Sequence, residues 1–484
     1  MFTTAGNERS LITISTLTYF LVAIIYVMKI GASPSGDEPH YLLISETLIK
    51  YHSFDVMRAY EHKDYLSFYP NTLDPHVVSV QGRIVSKHQM GGPALWLIPF
   101  LLFGRLGAIW FIGTVCVLIV LNIYRLLLAM EIRQPIAFDV SLALALASPL
   151  CIYAHLTFVE PIGALVCVYV LRKFIESDVS LSALLLSSIL LGLLPWVNVR
   201  FVLIEVPLFL MILWRLYQHA RLRNMFSYIA YLLPIALLTA GLEVFTWQLM
   251  GSLNPAIAMA TDQQALHQNV LLSPFAPLFG LLFDQDAGLL ICFPLSAFLV
   301  AGLLLSVKKR YLTYSLAILF TSIPYMIAIC TYIGWHGGWC PPARYILVLL
   351  PAWSFYLACV LQEVNGCFVK LFVHVTFWWG VIYNLLSLLP STNGFNDPME
   401  PNNVLDFLYI GNIHLTDFWS SVPSAQFDWN AAQSYHLISV GNGIWVAAYL
   451  LLTVFLMHQA RSNRDEPTKV DHTIDPSREI LRAR

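Results

Sequence analysis

The sequence predicts an all-α polytopic membrane protein with about twelve transmembrane helices. Three observations carry this. Of the 484 residues, 58% are hydrophobic and only 12% charged, whereas soluble domains carry about 25% charged residues; the mean hydropathy is +0.67. Apolar runs of the length needed to cross a bilayer, about 20 residues, recur along the chain. Lys and Arg gather in alternate connections between those runs, as the positive-inside rule requires. The formal net charge of −2 gives no electrostatic basis for a nucleic-acid partner.

The runs lie at 11–30, 105–129, 136–153, 159–175, 180–196, 201–218, 226–249, 287–306, 311–332, 344–362, 369–390 and 440–458. Arg9 precedes the first, and no small-residue cleavage site follows it, which predicts an uncleaved span rather than a signal peptide. The segment 93–103 ("PALWLIPFLLF") is too short to cross alone and reads as a re-entrant or interfacial lead-in. With the N-terminus cytoplasmic, the inner connections hold Arg125 and Arg133, Arg172 and Lys173, Arg215, Arg221 and Arg223, Lys308 to Arg310, and Lys370. An even span number returns the C-terminus to the same side. The expected organisation is a single transmembrane module over 1–458 and a polar, disordered cytoplasmic tail over 459–484. The eight cysteines are scattered, mostly inside apolar runs, without metal or disulfide spacing, and read as small hydrophobes.

The outer face then receives the long loops 31–92, 250–286 and 391–439 and the chemically unusual residues. "SGDEPHYLLISETLIK" follows the first span. Pro39 suits the first turn of a helix lying in the interface, and Asp37 or Glu38 can cap it. A cap needs one acid and here there are two, close to the bilayer, where a carboxylate is costly without a cation or water-filled cavity. "GRIVSKHQMGGPALW" brings Lys87 and His88 to the next membrane entry. Arg200 follows "LPWVNV" and Arg344 follows "WHGGWCPPA", each at an outer span end; either can be a snorkelling anchor or a bidentate grip on a phosphate. His336 and Trp335 lie in a glycine-rich turn, suited to binding or to the aromatic belt. Glu160 and His155 fall at a short outer turn, where Glu160 can cap the next helix. Of Asp284 and Asp286, one can cap and the other reach a site.

These segments together resemble the GT-C superfamily of integral-membrane glycosyltransferases. Within it they are most similar to the bacterial branch related to protein O-mannosyltransferases and the lipid A aminoarabinose transferase. The resemblance rests on "GDEPHYL", "SKHQMGGPALWLIPFLLFG", "LPWVNVRF", "FDQDAGLL" and "GGWCPPARYILVLLP", spread over most of residues 10–390; residues 391–484 fall outside it. It implies a GT-C-like module in the bacterial plasma (inner) membrane that uses a polyprenyl-phosphate-linked sugar, with the active site on the extracytoplasmic side. It implies that Asp37 acts on the acceptor with Glu38 beside it. Arg344, then Arg200, Lys87 and His88, would hold the donor phosphate. The acceptor would be a glycan, glycolipid or protein of the cell envelope.

The expected reaction is inverting transfer, an EC 2.4 chemistry, with Asp37 as general base, a role worth typically 10²–10⁴-fold. Cations in place beforehand would stabilise the leaving phosphate, so no acid is needed there. His40, Glu160, Asp284 and His336 are candidate substrate or metal contacts. Asp37, Glu38 and His40 offer oxygen and nitrogen ligands to a divalent metal, at a spacing that is not diagnostic; no cofactor is otherwise implied. Two rival readings are a transporter or flippase for a lipid-linked or anionic substrate, and a non-catalytic subunit of an envelope complex. Transport predicts internal repeats and ionisable residues at the midplane. No repeat is visible, and Glu205 and Glu243 are the mid-span exceptions.

Overall fold

The computed structural model describes residues 4–28, 33–80, 82–218, 224–255, 275–332, 334–389, 402–410, 413–414 and 440–465. Much of the expected loop 250–286, nearly all of 391–439 and the end of the tail lie outside them. The chain begins with α1 (Thr4–Met28). A long connection follows, holding α2 (Glu38–Tyr51), α3 (Met57–Glu61), an antiparallel hairpin of β1 (Val77–Val80) with β2 (Arg83–Ser86), and α4 (Gly91–Leu95). The bundle continues with α5 (Leu97–Ala129), α6 (Gln134–Ala147), α7 (Pro149–Tyr153), α8 (Glu160–Ile175), α9 (Leu181–Val197), α10 (Val202–Gln218) and α11 (Met225–Met250). Later long helices span Leu312–Thr331, Leu350–Glu363, Cys367–Leu386 and Val440–Asp465.

Each expected apolar run falls on helix, but several are broken. Pro149 splits the third, and the run at 287–306 divides into Leu289–Cys292, Pro294–Phe298 and Leu299–Ser306. Proline's missing N–H explains such breaks. Among the described residues, five helices are long and apolar enough to cross a membrane by length and composition: α1, α5, α11, Leu312–Thr331 and Cys367–Leu386. Only 17% of the most apolar stretch of α11 is buried against protein. Along Leu312–Thr331, Leu316, Phe320, Ile323 and Ile327 stand exposed at helical spacing. Apolar faces of that extent are unstable against water, and the chain is an integral membrane protein.

One core runs through the bundle, with α5 against α1 and α8 and α9 against α11. α8 is the axis for the site. Its first turn holds Glu160, its last Arg172 and Lys173, about 18 Å apart at 1.5 Å per residue. The segment before Gly104 is set off from the rest of α5 by a break at that glycine (φ 58°, ψ −143°). Ile98, Leu101, Leu102 and Phe103 are exposed on this short lead-in.

Three expectations need correction. The protein is not purely helical: the hairpin β1–β2 and a second small one, Tyr409–Ile410 with Ile413–His414, are β structure. The first was legible, because "VVSVQGRIVS" sets two β-branched runs on either side of a short break containing glycine. The helix at Pro39 does not lie half in lipid, since Glu38 to Ser45 are all buried in protein. Trp96 of the α4–α5 junction donates to Ser45 Oγ at 3.1 Å, bolting α2 to the bundle. A satellite core of Leu43, Ile44, Val56, Ala59, Tyr60, Tyr65 and Leu73 holds the connection together. Finally, the last helix continues to Asp465, so the first residues of the tail are helical.

Candidate active site

Asp37 occupies the N-cap position of α2, yet its carboxylate makes no capping hydrogen bond. It turns instead to Arg344, whose Nη2 donates to Oδ2 at 2.5 Å. Arg344 lies 307 residues further along the chain and is buried. Its Nε donates to Glu160 Oε1 at 2.8 Å and its Nη1 to the Gly337 carbonyl at 2.8 Å. Glu160 Oε1 also accepts from Arg200 Nη2 at 3.4 Å. Two acids and two arginines from four distant segments thus form one network, Asp37–Arg344–Glu160–Arg200.

Local structure explains how each arrives. Gly36 has φ +55°, and a Cβ there would stand 2.1 Å from the Trp339 carbonyl, so only glycine lets the acidic turn meet the glycine-rich loop. Gly337, at φ +95°, presents its carbonyl to Arg344. Ala343, a non-glycine at φ 61°, precedes Arg344; backbone strain of this kind persists where the surroundings fix it. The Ala343 N–H donates to the Ala287 carbonyl at 2.9 Å. Asp284 in turn holds that loop, its Oδ1 accepting from the N–H groups of Asp286 and Ala287 at 2.8 and 2.9 Å. Asp284 is therefore the cap of its turn and a brace behind Arg344.

The adjacent acids divide their work. Burial pushes Asp37 up, but Arg344, with His88 and His76, more than offsets it and holds the carboxyl well below its usual range. Glu38 is fully buried. Its Oε1 accepts from the Thr157 N–H at 2.7 Å and Thr157 Oγ1 at 3.0 Å, and its Oε2 from the Ser35 N–H at 3.2 Å. Burial raises its pKa, against the field of Arg105 and those hydrogen bonds. Glu38 is thus a strut between α2 and the turn before α8.

Two groups in the network are incompletely satisfied. Arg200 Nε and Glu160 Oε2 are buried without a hydrogen-bond partner among the described residues. The Arg200 guanidinium lies 4.2 Å above the Tyr345 ring, which fixes its plane. Each such buried group calls for a polar partner that the described residues do not supply.

The remaining expected residues fall nearby or elsewhere. His88 and Lys87 line a cleft with Trp196, Phe245, Thr246 and Met250. His40 forms a group with His76 and His88. Its Nδ1 is 2.6 Å from Tyr60 Oη. His336 is not brought to Asp37 by any contact found among the described residues. Its Nδ1 accepts from the Gly338 N–H at 3.1 Å, and burial lowers its pKa to about 4. Trp335 is core, with Gly280 directly against its ring. Sequence reasoning missed His76, Arg105 and Thr157.

No family profile and no curated protein matches the chain. Among solved structures it is similar to ArnT from Cupriavidus metallidurans bound to undecaprenyl phosphate. The identity there is 14%, over 96% of this chain and 79% of that one, at a TM-score of 0.48. It is also similar to the oligosaccharyltransferase of Archaeoglobus fulgidus in the apo form, at 16% identity and a TM-score of 0.46. That match covers 79% of this chain and 54% of the other.

Proposed function

We propose that the protein is a glycosyltransferase that moves a sugar from a polyprenyl-phosphate donor to a cell-envelope acceptor at the extracytoplasmic face of the bacterial inner membrane. The observation that carries the reading is the Asp37–Arg344–Glu160–Arg200 network, an ionised acid held beside buried cations at the end of a membrane bundle. ArnT bound to undecaprenyl phosphate and the archaeal oligosaccharyltransferase in complex with a dolichol-phosphate are consistent with a lipid-phosphate ligand.

In this reading Asp37 is the general base. It takes the proton of the acceptor hydroxyl as that oxygen attacks the anomeric carbon, and the sugar–phosphate bond breaks with inversion. Polyprenyl phosphate leaves as a stable anion. Arg200, with its unpartnered Nε, is better placed than Arg344 to receive that anion, because three of the nitrogens of Arg344 are already engaged. Lys87 and His88 line a cleft whose other walls include Trp196, Leu242, Phe245 and Leu249, apolar side chains that suit a lipid chain. Arg344 then serves chiefly to keep Asp37 ionised and aimed.

The test is transfer by the purified protein from a polyprenyl-phosphate sugar to an envelope extract, with wild type and Asp37→Asn compared. A loss of roughly 10²–10⁴-fold is expected for a positioned base. Near-normal turnover of the variant would remove Asp37 from that role, and no transfer by wild type would favour the transporter or subunit readings.

A further inference from the structure

The histidines form a second device. His40 lies in the first turn of α2, His76 just before β1 and His88 just after β2. Each offers one ligand nitrogen, and the three lie within 4.8 Å of one another. We propose that His40, His76 and His88 bind one divalent transition-metal ion, with zinc the best chemical match, tying the hairpin to the surface helix beside Asp37.

The geometry supports this. His76 Nδ1 and His88 Nε2 are 3.0 Å apart, close to the edge of about 3.3 Å of a zinc tetrahedron with Zn–N bonds of 2.0–2.1 Å. The pairing is built in, since β1 and β2 bring the two ends of the hairpin together and the Lys87 N–H donates to the His76 carbonyl at 2.9 Å. Tyr60 Oη holds His40 Nδ1 at 2.6 Å, the outer contact that usually orients a ligating imidazole and selects its other nitrogen. The His40 and His76 rings are stacked, with centroids 3.6 Å apart and planes 14° from parallel. Parallel rings cannot both aim in-plane lone pairs at one ion; His40 lies 14° and 17° from the planes of His76 and His88, which are 28° from each other, so binding turns the rings out of the stack, His40 most.

The ligand set also selects the ion. Three imidazoles suit zinc, copper or nickel and not magnesium or calcium, which prefer oxygen. Burial favours neutral rings, the form that coordinates. Three protein ligands leave a fourth tetrahedral position for water or another group. Asp37 is electrostatically coupled to all three histidines, so a cation here would add to the field that keeps it ionised.

The experiment uses the full chain in detergent, stripped with a chelator and titrated with zinc chloride. One zinc per chain is expected, retained on gel filtration and undisturbed by excess magnesium. Cobalt in its place should give the intense visible bands of a four-coordinate site. His76→Ala and His88→Gln should each lower zinc affinity at least tenfold while eluting as folded protein. Tyr60→Phe, which keeps all three imidazoles, should weaken binding by about tenfold. Substoichiometric zinc on the wild-type chain, or stoichiometric binding unchanged in folded His76→Ala and His88→Gln, overturns the proposal. Metal binding is read without donor or acceptor, so it stands or fails separately from the transfer reaction.

Discussion

The two ends of α8 use charge in opposite ways. At the last turn, Arg172 and Lys173 pair with Glu176 four and three residues on, both at 2.6 Å. Beside them Arg125 grips Glu8, and at other connections of the same expected inner side Arg310 meets Glu131 and Lys308 meets Glu363. Most of these pairs are partly or well exposed. The Arg310 and Glu131 side chains are 54% and 58% accessible, a setting in which ion pairs contribute little. At the first turn the Arg344–Glu160 pair is 6% and 0% accessible. Burying such charges costs several kcal/mol per ion before pairing returns any of it. A fold does not need that arrangement for stability, and an expensive charge network points to use in chemistry.

The largest expected effect follows from cutting the buried end. Arg344→Gln should lower kcat of the proposed transfer by roughly 10²–10³-fold, the scale for losing one preorganised electrostatic contact. It should also change the pH profile. With Arg344 present, the Asp37 carboxyl stays ionised well below its ordinary range. Its stabilisation is present above the unfolded value and is lost only as pH falls through the lowered one. Without Arg344, burial dominates and the acid limb of the rate should move to higher pH. Arg125→Gln, at the other end of the bundle, should leave both the rate and the limb nearly unchanged. Equal losses from the two variants would erase the distinction between the ends.

Within the buried network, Arg200 and Arg344 should separate kinetically. Arg200→Ala removes the cation with the unpartnered nitrogen. Donor KM should rise roughly 10–100-fold, the value of a hydrogen bond to a charged group at 1.5–3 kcal/mol, with a smaller change in kcat. A fall in kcat at constant KM would instead place Arg200 with the base.

Glu38 offers a sharper contrast, because it is adjacent to Asp37 and does something else. Glu38→Ala leaves the Thr157 and Ser35 donors without their acceptor. It should destabilise the protein by about 1–3 kcal/mol, read as a lower Tm in detergent, whereas Asp37→Asn should shift Tm less than it shifts turnover. Glu38→Gln keeps an acceptor oxygen and should fall between.

How much of this was readable from sequence depends on how far apart the partners lie. The apolar runs announced the bundle, and two adjacent acids where a cap needs one set Asp37 apart. Its partner could not be read, since nothing local couples Asp37 to Arg344 or Glu160 to a residue 184 positions away. Glu160 looked like a helix cap because that role is local. His76 was missed for a different reason. With the two β-branched runs recognised as a hairpin, their pairing would have placed His76 opposite Lys87, next to His88. Arg105 and Thr157 carry no sequence signal, because each matters only through a neighbour supplied by the packing of α2 against the bundle.

The smallest effect tests the exposed end directly. Arg310 donates from Nε to Glu131 Oε2 and from Nη2 to the Glu131 carbonyl, both at 3.2 Å. Glu131 itself sits at φ 61° just after α5. Truncating Arg310 to Ala removes an ion pair worth about 0.2–1 kcal/mol in water, and the carbonyl it releases keeps the Gln362 Nε2 donor at 3.3 Å. The expected change in Tm is therefore small and should shrink further in high salt, which screens exposed pairs. A large loss that persists in salt would mean that this end is also a buried network, and the contrast between the two ends of α8 would no longer separate scaffold from site.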